Sequence, residues 1–486
     1  AGWDDPNLDD DAIMFEDDSP YPEVRASVSN CDDPDMPAST LRAWLIGVVF
    51  AVFIPGLNQF FYFRYPSVTI SSIAAQLMIF PIGRLWGAIM PDKKIFGLSI
   101  NPGQFTIKEH VLTTVMATVA GQSAYATDLI AVQRVFYQQT WGFMYQWLIV
   151  MSTQLMGFSL GGIARRFLVA PPSMIWPANL VSCALFNTLH SQYFSGQGNR
   201  DGITRERFFL YVFLGSFFWY FVPGYLFGAL SYFAWVTWIF PKSATVGALF
   251  GYHRGMGMSV ITFDWAQIAY IGSPLAIPWW AAANVFAGFV VIFWIIAPAI
   301  YLGVQAWMFT NIKDMCNQQK ETFFICPGTE VFGTASIVWG VIGPARQFSR
   351  GEIYYPLVFF FLIGAFLPII PYMITRRYPS SWARYVNFPV LFSGTGLIPP
   401  ATALNFVPWA LISFIFQYVI RRRHFSWWAK YNYVLSAGLD AGVAISVIVI
   451  FFTLQFPKHG SIGSHSVQTW WGNKGFKNTV EWNNST

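Results

Sequence analysis

The stretch from Asn101 to His110, NPGQFTIKEH, stands between two long apolar runs, Ser67 to Met90 and Val111 to Ala126. A helix-breaking Asn-Pro-Gly is followed within a few residues by Lys108, Glu109 and His110. Three adjacent ionisable groups at the mouth of a membrane helix are costly unless they face protein or a water-filled cavity. Asn-Pro-Gly leaves backbone groups unpaired, and at membrane depth this is tolerated only where the backbone lines a cavity. The plain alternative is an interfacial loop followed by a capped, charged helix start.

Composition sets the class. Of 486 residues, 55% are hydrophobic, 19% aromatic and only 11% charged, against about 25% charged in soluble domains. Many apolar runs approach the length of about 20 residues that a bilayer crossing needs. The expected fold is therefore all-α: a polytopic integral membrane protein with 11–13 membrane-embedded helices, some broken or re-entrant, in a lipid bilayer. Residues 1–40 hold 12 of the 24 acidic residues and one basic residue, Arg25, and are expected to form a disordered cytoplasmic tail. No signal-peptide pattern opens the chain, so the first span is expected to direct insertion. The remaining basic residues fall in short loops, where they set topology, and no nucleic-acid partner is expected.

The chain then divides into a transmembrane region at 41–312, a polar loop at 313–328, a second transmembrane region at 329–453 and a tail at 454–486. In the first region, Pro55-Gly56 predicts a kink or a break in the first span, and a polar stretch containing Gln133 precedes the fourth. From Phe240 to Pro278, five glycines and Asp264 interrupt short apolar pieces, the usual trace of discontinuous transporter helices; an irregular loop packed on the bundle is the alternative. Trp279 to Asn311 runs 33 residues without a charge, about 50 Å as one helix against a hydrocarbon core of about 30 Å. Either a steep tilt or a join of two half-spans near Tyr301-Leu302 accounts for it. Cys316 and Cys326 either form a disulfide, if their loop faces outward, or stay two reduced thiols, and with the loop outside Glu330 to Gly343 is too short to cross simply.

Val386 to Ile420 has basic flanks at both ends, so the chain must enter and return within 35 residues. That is a re-entrant hairpin whose tip carries Gly394, Gly396, Pro399, Pro400 and Asn405. A plain turn on the far side is the alternative. The last span, Tyr431 to Phe452, holds Asp440 well inside it. A carboxyl at that depth costs about 2.5–3.5 kcal/mol on insertion scales and must find a proton or a partner; it serves either proton coupling or a structural hydrogen bond.

NPGQFTIKEH followed by SAYATDLIAVQRVFYQQTWG resembles the signature region of the oligopeptide transporter family, in its fungal and plant peptide-transporting branch. CNQQKETFFICPGTEVFGTASIVWGVIGP and GLIPPATALNFVPWALISFIFQYVIRRRHFSWWAKYNYVLSAGLDAG resemble later blocks of that family. The resemblance implies a secondary-active symporter, not an enzyme, moving small peptides or glutathione-like substrates with protons across the plasma membrane, without cofactor or metal. Asn101, Pro102 and Gly103 match the family's NPG motif and Lys108, Glu109 and His110 its charged extension; residue type and position then suggest a substrate path along Asn101, Pro102, Gly103, Lys108 and Gln133, with Glu109, His110, Asp264 or Asp440 carrying the proton. A sister branch carries metal chelates or siderophores, which is the alternative cargo. The family's second hallmark, KIPPR, is absent and the chain is short. Both point to an internal region missing near Tyr301-Leu302, with a transport-inactive product as a further alternative.

Overall fold

The computed structural model describes residues 19–29, 32–62, 69–95, 98–121, 124, 126–190, 203–252, 255–296, 343, 345–351, 355–394, 396–398, 401–457, 467 and 469–479. Cys316, Cys326, Pro399, Pro400, the Tyr301-Leu302 join and nearly all of Glu330 to Gly343 lie outside these residues.

The helices, in chain order, are α1 (Pro22–Ser27), α2 (Leu41–Phe61), α3 (Ser72–Ile89), α4 (Ile107–Gly121), α5 (Ala126–Val135), α6 (Phe143–Leu168), α7 (Pro177–Leu189) and α8 (Arg205–Phe221). The short pieces α9 (Trp235–Ile239), α10 (Ala244–Phe250) and α11 (Trp265–Ile268) follow, then α12 (Trp279–Phe289), α13 (Phe359–Phe366), α14 (Ile369–Arg377), α15 (Phe388–Ser393), α16 (Ala403–Ser413) and α17 (Phe425–Ile450). The strands are two residues each, Lys94–Ile95 paired with Leu98–Ser99 in the loop before Asn101. Among the described residues, eight helices are long and apolar enough to cross a membrane. The fold is all-α and polytopic.

Helix α17 is the hub. Trp428, Tyr433, Ala437 and Ala441 pack with Leu180, Ala184 and Leu185 of α7 and Phe209 of α8. Small residues let α8 come close: a Cβ on Gly442 would stand 2.7 Å from the Phe213 carbonyl oxygen. Ser216 of α8 donates to the Leu439 carbonyl at 2.9 Å across the same contact. A second core joins α2, α3 and α4 through Ile46, Phe50, Ile54, Ala75, Ile79, Phe105 and Ala117.

Three expectations are corrected. Pro55 lies within a continuous helix, Leu41–Phe61, so Pro55-Gly56 does not break the first span. The acidic tail is not without structure: Pro22–Ser27 is helical, and buried Glu23 pairs with Arg421 at 2.6 Å. Asn187 also donates to the Ser27 carbonyl at 2.8 Å, which seats this helix on α7. The last membrane helix starts at Phe425 rather than Tyr431.

The stretch from Phe240 to Pro278 is broken into α10, α11 and turns, with Gly257 and Gly272 at φ 62° and 108°. In the hairpin, α15 has six residues, about 9 Å of helix, too short to cross. The returning arm runs from Ala403 to Arg423, 21 residues, and is long enough. Here α12 and α15 touch backbone to backbone, because a Cβ on Gly288 would overlap the Leu391 carbonyl oxygen and one on Gly394 that of Val285. Gly288→Ala is expected to cost about 1–3 kcal/mol by overpacking, read as a lower melting temperature of the detergent-solubilised protein. Gly56→Ala, which meets open space inside a continuous helix, should not lower that temperature.

Candidate functional site

The loop from Asn101 to Thr106 is organised by a residue the sequence reading did not single out, Arg42. It is fully buried at the start of α2. Its Nε donates to Glu109 Oε1 at 3.2 Å and its Nη2 to Glu109 Oε2 at 2.5 Å. Nη1 donates to Asn101 Oδ1 at 3.3 Å and to the Gly103 carbonyl at 2.9 Å, and Nη2 also reaches the Gln104 carbonyl at 3.1 Å. Every N–H of the planar fork thus has an acceptor, the condition for burying a guanidinium.

Glu109 is equally saturated. Thr106 and Glu109 form the T-x-x-E capping box of α4: the Glu109 N–H donates to Thr106 Oγ1 at 3.2 Å and the Thr106 N–H to Glu109 Oε2 at 2.9 Å. The Thr40 hydroxyl, itself the cap of α2, also donates to Glu109. Asn101 closes the far side, its amide donating to the Gly87 and Met90 carbonyls at the end of α3 at 3.0 and 2.6 Å. Gly103 sits at φ 112°, a left-handed conformation that favours glycine. The expectation that this backbone has unpaired groups is therefore corrected for the two carbonyls, of Gly103 and Gln104, that Arg42 engages.

A cavity of about 240 Å³ lies beside the loop, lined by Arg84, Gly87, Ala88, Gln104, Phe105, Leu189 and His190. His190 connects it to His110: His110 Nδ1 and His190 Nε2 are 3.0 Å apart, and His110 Nε2 is 2.8 Å from the Gln76 carbonyl. Since a carbonyl only accepts, Nε2 of His110 carries a proton. With both rings neutral, His190 Nε2–H donates to His110 Nδ1; with His110 protonated, the direction reverses. Phe80, Phe105 and Phe186 surround the His110 ring.

Asp264 and Asp440 meet at α11. Asp264 caps that helix, accepting from the Ala266 N–H at 2.8 Å and from the Ser231 hydroxyl at 2.9 Å. The next residue, Trp265, donates its indole N–H to Asp440 Oδ1 at 2.6 Å. Ser436 reaches Asp440 Oδ2 at 3.5 Å and is itself 2.5 Å from Ser273. Asn405 at the hairpin end binds the Gln267 backbone and side-chain oxygens of α11 at 2.9 and 3.1 Å. The structure thus brings Asp264, Asp440 and Asn405 to one short helix, α11, from three elements.

Other expected site residues lie elsewhere. Lys108 is held by the N-terminal segment, 2.9 Å from Asp32 Oδ1 and 2.5 Å from the Asp33 carbonyl. Gln133 donates to Tyr145 of α6 at 2.9 Å. Gly394 serves the α12–α15 contact, and Gly396 follows it at the tip, where a Cβ would stand 3.3 Å from the Ser393 carbonyl oxygen. Sequence reasoning missed Arg42, Arg84 and His190; the signal for Arg42 was a charge two residues after the Thr40 cap of an apolar span.

Fold and site together define a polytopic membrane protein with its polar machinery inside the helix bundle. The family described as OPT oligopeptide transporter protein matches residues 38–303 and 299–454. The chain belongs to this family. It is 30% identical to Glutathione transporter 1 of Schizosaccharomyces pombe, over 96% of this chain and 82% of the relative. Against the sexual differentiation process protein isp4 of the same organism it is 30% identical over 96% and 89%, respectively. Against Oligopeptide transporter 5 of Arabidopsis thaliana the figure is 26%, over 94% and 93%. No solved structure matches the chain.

Removing Arg42 alone leaves a buried carboxylate without its counter-charge, which typically costs about 3–5 kcal/mol. Arg42→Ala should therefore lower the melting temperature more than Arg42→Met combined with Glu109→Leu. Equal losses would refute the ion pair as the source of the effect.

Proposed function

We propose that this protein is a proton-coupled carrier of small peptides, glutathione-like ones included, acting in the plasma membrane with its acidic N-terminal segment cytoplasmic. The peptide cargo follows from family membership and from relatives named as glutathione and oligopeptide transporters. The coupling reading is carried by one observation: Asp264 and Asp440 are bridged through Trp265 on a broken helix. Among the described residues, neither carboxyl forms an ion pair.

A proton carrier must be able to exist in both protonation states. Glu109 is committed to Arg42 and to the α4 cap, so it acts as a lock. Asp264 and Asp440 have hydroxyl, amide and indole partners, which tolerate a neutral acid far better than a buried arginine does. The His190–His110 pair, with His190 in the cavity wall, gives a second place where a proton is exchanged. The substrate path then runs along the cavity by Arg84, Gln104 and His190. Asn101, Pro102 and Gly103 hold its wall in place, and Lys108 and Gln133 have no assigned part in it. Discontinuous helices at the centre of the bundle let one half rock against the other.

Uptake in transporter-deficient cells tests this. Asp440→Asn and Asp264→Asn should each lower proton-driven peptide accumulation at least about tenfold while sparing peptide exchange at equal pH. Wild-type accumulation by both variants would overturn the coupling assignment. Competition by a metal chelate but not by a tetrapeptide would move the protein to the chelate-carrying branch.

A second reading is favoured by the alignments, which run over 710 residues with the S. pombe relative although this chain has 486. The family match also breaks and resumes at residues 299–303. On this reading an internal transmembrane region is missing there, and the chain inserts without transporting until it is restored. Transcript sequencing across codons 299–304 should reveal the omitted segment. A contiguous genomic reading with no intron at that point would exclude a faulty gene model.

A further inference from the structure

Two of the eight apolar spans bury no residue at all, Phe143–Leu168 and Tyr355–Arg377. In α6, every residue from Leu155 to Ile163 is exposed, more than two full turns, so no face of that part touches the rest of the bundle. The same holds for residues 356–366 of the other span. By contrast, 56% of the apolar window in Phe425–Gln455 is buried, so the bundle does pack its spans where a partner is present.

Lipid alone explains an apolar surface, but not the one α6 presents. Gln154, Gly157 and Gly161 fall at i, i+3 and i+7, on one side of the helix. Gly157 and Gly161 have open space where a Cβ would stand. Gln154, halfway along the helix and half-buried, has no hydrogen-bond partner among the described residues. Paired small residues that admit a close backbone, together with a carboxamide at mid-membrane, are what transmembrane helices use to bind one another.

We propose that the Gln154–Gly157–Gly161 face of α6 is the docking surface for the internal transmembrane region that the relatives carry and this chain lacks, and that this region binds there when supplied on a separate polypeptide. The occupant follows from the alignment length of 710 residues against a chain of 486 and from the break in the family match at residues 299–303. The inference rests on the second reading above, that an internal region is missing, and on packing; transcript sequencing tests that reading by itself, and the test below does not measure transport.

The full chain is co-expressed with a tagged segment of the S. pombe relative, taken between the positions aligned with residues 299 and 304. The tag is then pulled down from detergent or nanodiscs. The wild-type chain should be retained. Gly157→Ile with Gly161→Ile should lower retention about tenfold or more, and Gln154→Leu alone by a smaller factor. Gly215→Ile, on an open face of α8, should be retained like wild type, which shows that a bulky residue on an exposed span is not itself harmful. Failure of the wild-type chain to retain the segment would overturn the proposal, as would retention unchanged by the α6 substitutions. Preferential self-association through the same three residues would assign the face to a second copy and overturn it too.

Discussion

A guanidinium buried beside an apolar helix is affordable only if each of its five N–H groups meets an acceptor. That condition shapes the whole region from Thr40 to His110. Glu109 supplies a bidentate partner, but a carboxylate offers no acceptor in the direction of Nη1, so the chain must bring others. It does so by ending α3 at Ile89 and turning through Asn101 to Gly103, which points the Gly103 and Gln104 carbonyls back at Arg42. The helix-breaking motif is therefore less a gap in secondary structure than a device for aiming carbonyls. It also fixes the distance between α2 and α4, where a Cβ on Gly47 would be 2.5 Å from Met116 Sδ.

Two clusters of buried acid follow different rules. Glu109 has a permanent cation, Arg42, and caps a helix N-terminus. Asp264 and Asp440 have neutral donors, which accommodate either form. The first arrangement holds α2, α3 and α4 together whatever the surroundings. The second ties α11 to α17 by the indole bond of Trp265, and the same short helix meets the hairpin through Asn405. Short helices with few backbone bonds of their own are the elements most able to respond to a change in their contacts.

Local chemistry was legible in the sequence, and long-range pairing was not. The apolar runs gave the all-α membrane class, and the charged run after Asn-Pro-Gly offered a capped helix start as the plain alternative, since both depend on residues within a few positions of each other. Arg42 and Glu109 are 67 positions apart, and Trp265 and Asp440 are 175 apart, so nothing local announces either contact. A charge at the start of an apolar run reads as an interfacial anchor, which is why Arg42 went unnoticed. Glu23 illustrates the converse error: acidic composition predicted a solvated tail, while its Arg421 partner lies some four hundred positions on and holds the helix down. Pro55 failed as a break because α2 continues helical on both sides of it, and packing around Ile54 and Asn58 holds the turn.

The uneven packing of the spans bears on how such a protein is built. Without a hydrophobic drive between helices in lipid, association rests on close backbone approach and on polar contacts. The bundle around α17 has both: glycines at the α8 contact with Ser216 bonded across it, and Ser436, Asn432 and Gln417 bonded to Ser273 and Leu275 in the turn before α12. Helix α6 has the means without the contact, since its glycines face open space and its central amide is unanswered. A span whose surface is shaped for a neighbour it does not touch is evidence about the neighbour. Its open face stands apart from the α2–α3–α4 and α7–α8–α17 cores, which pack without it.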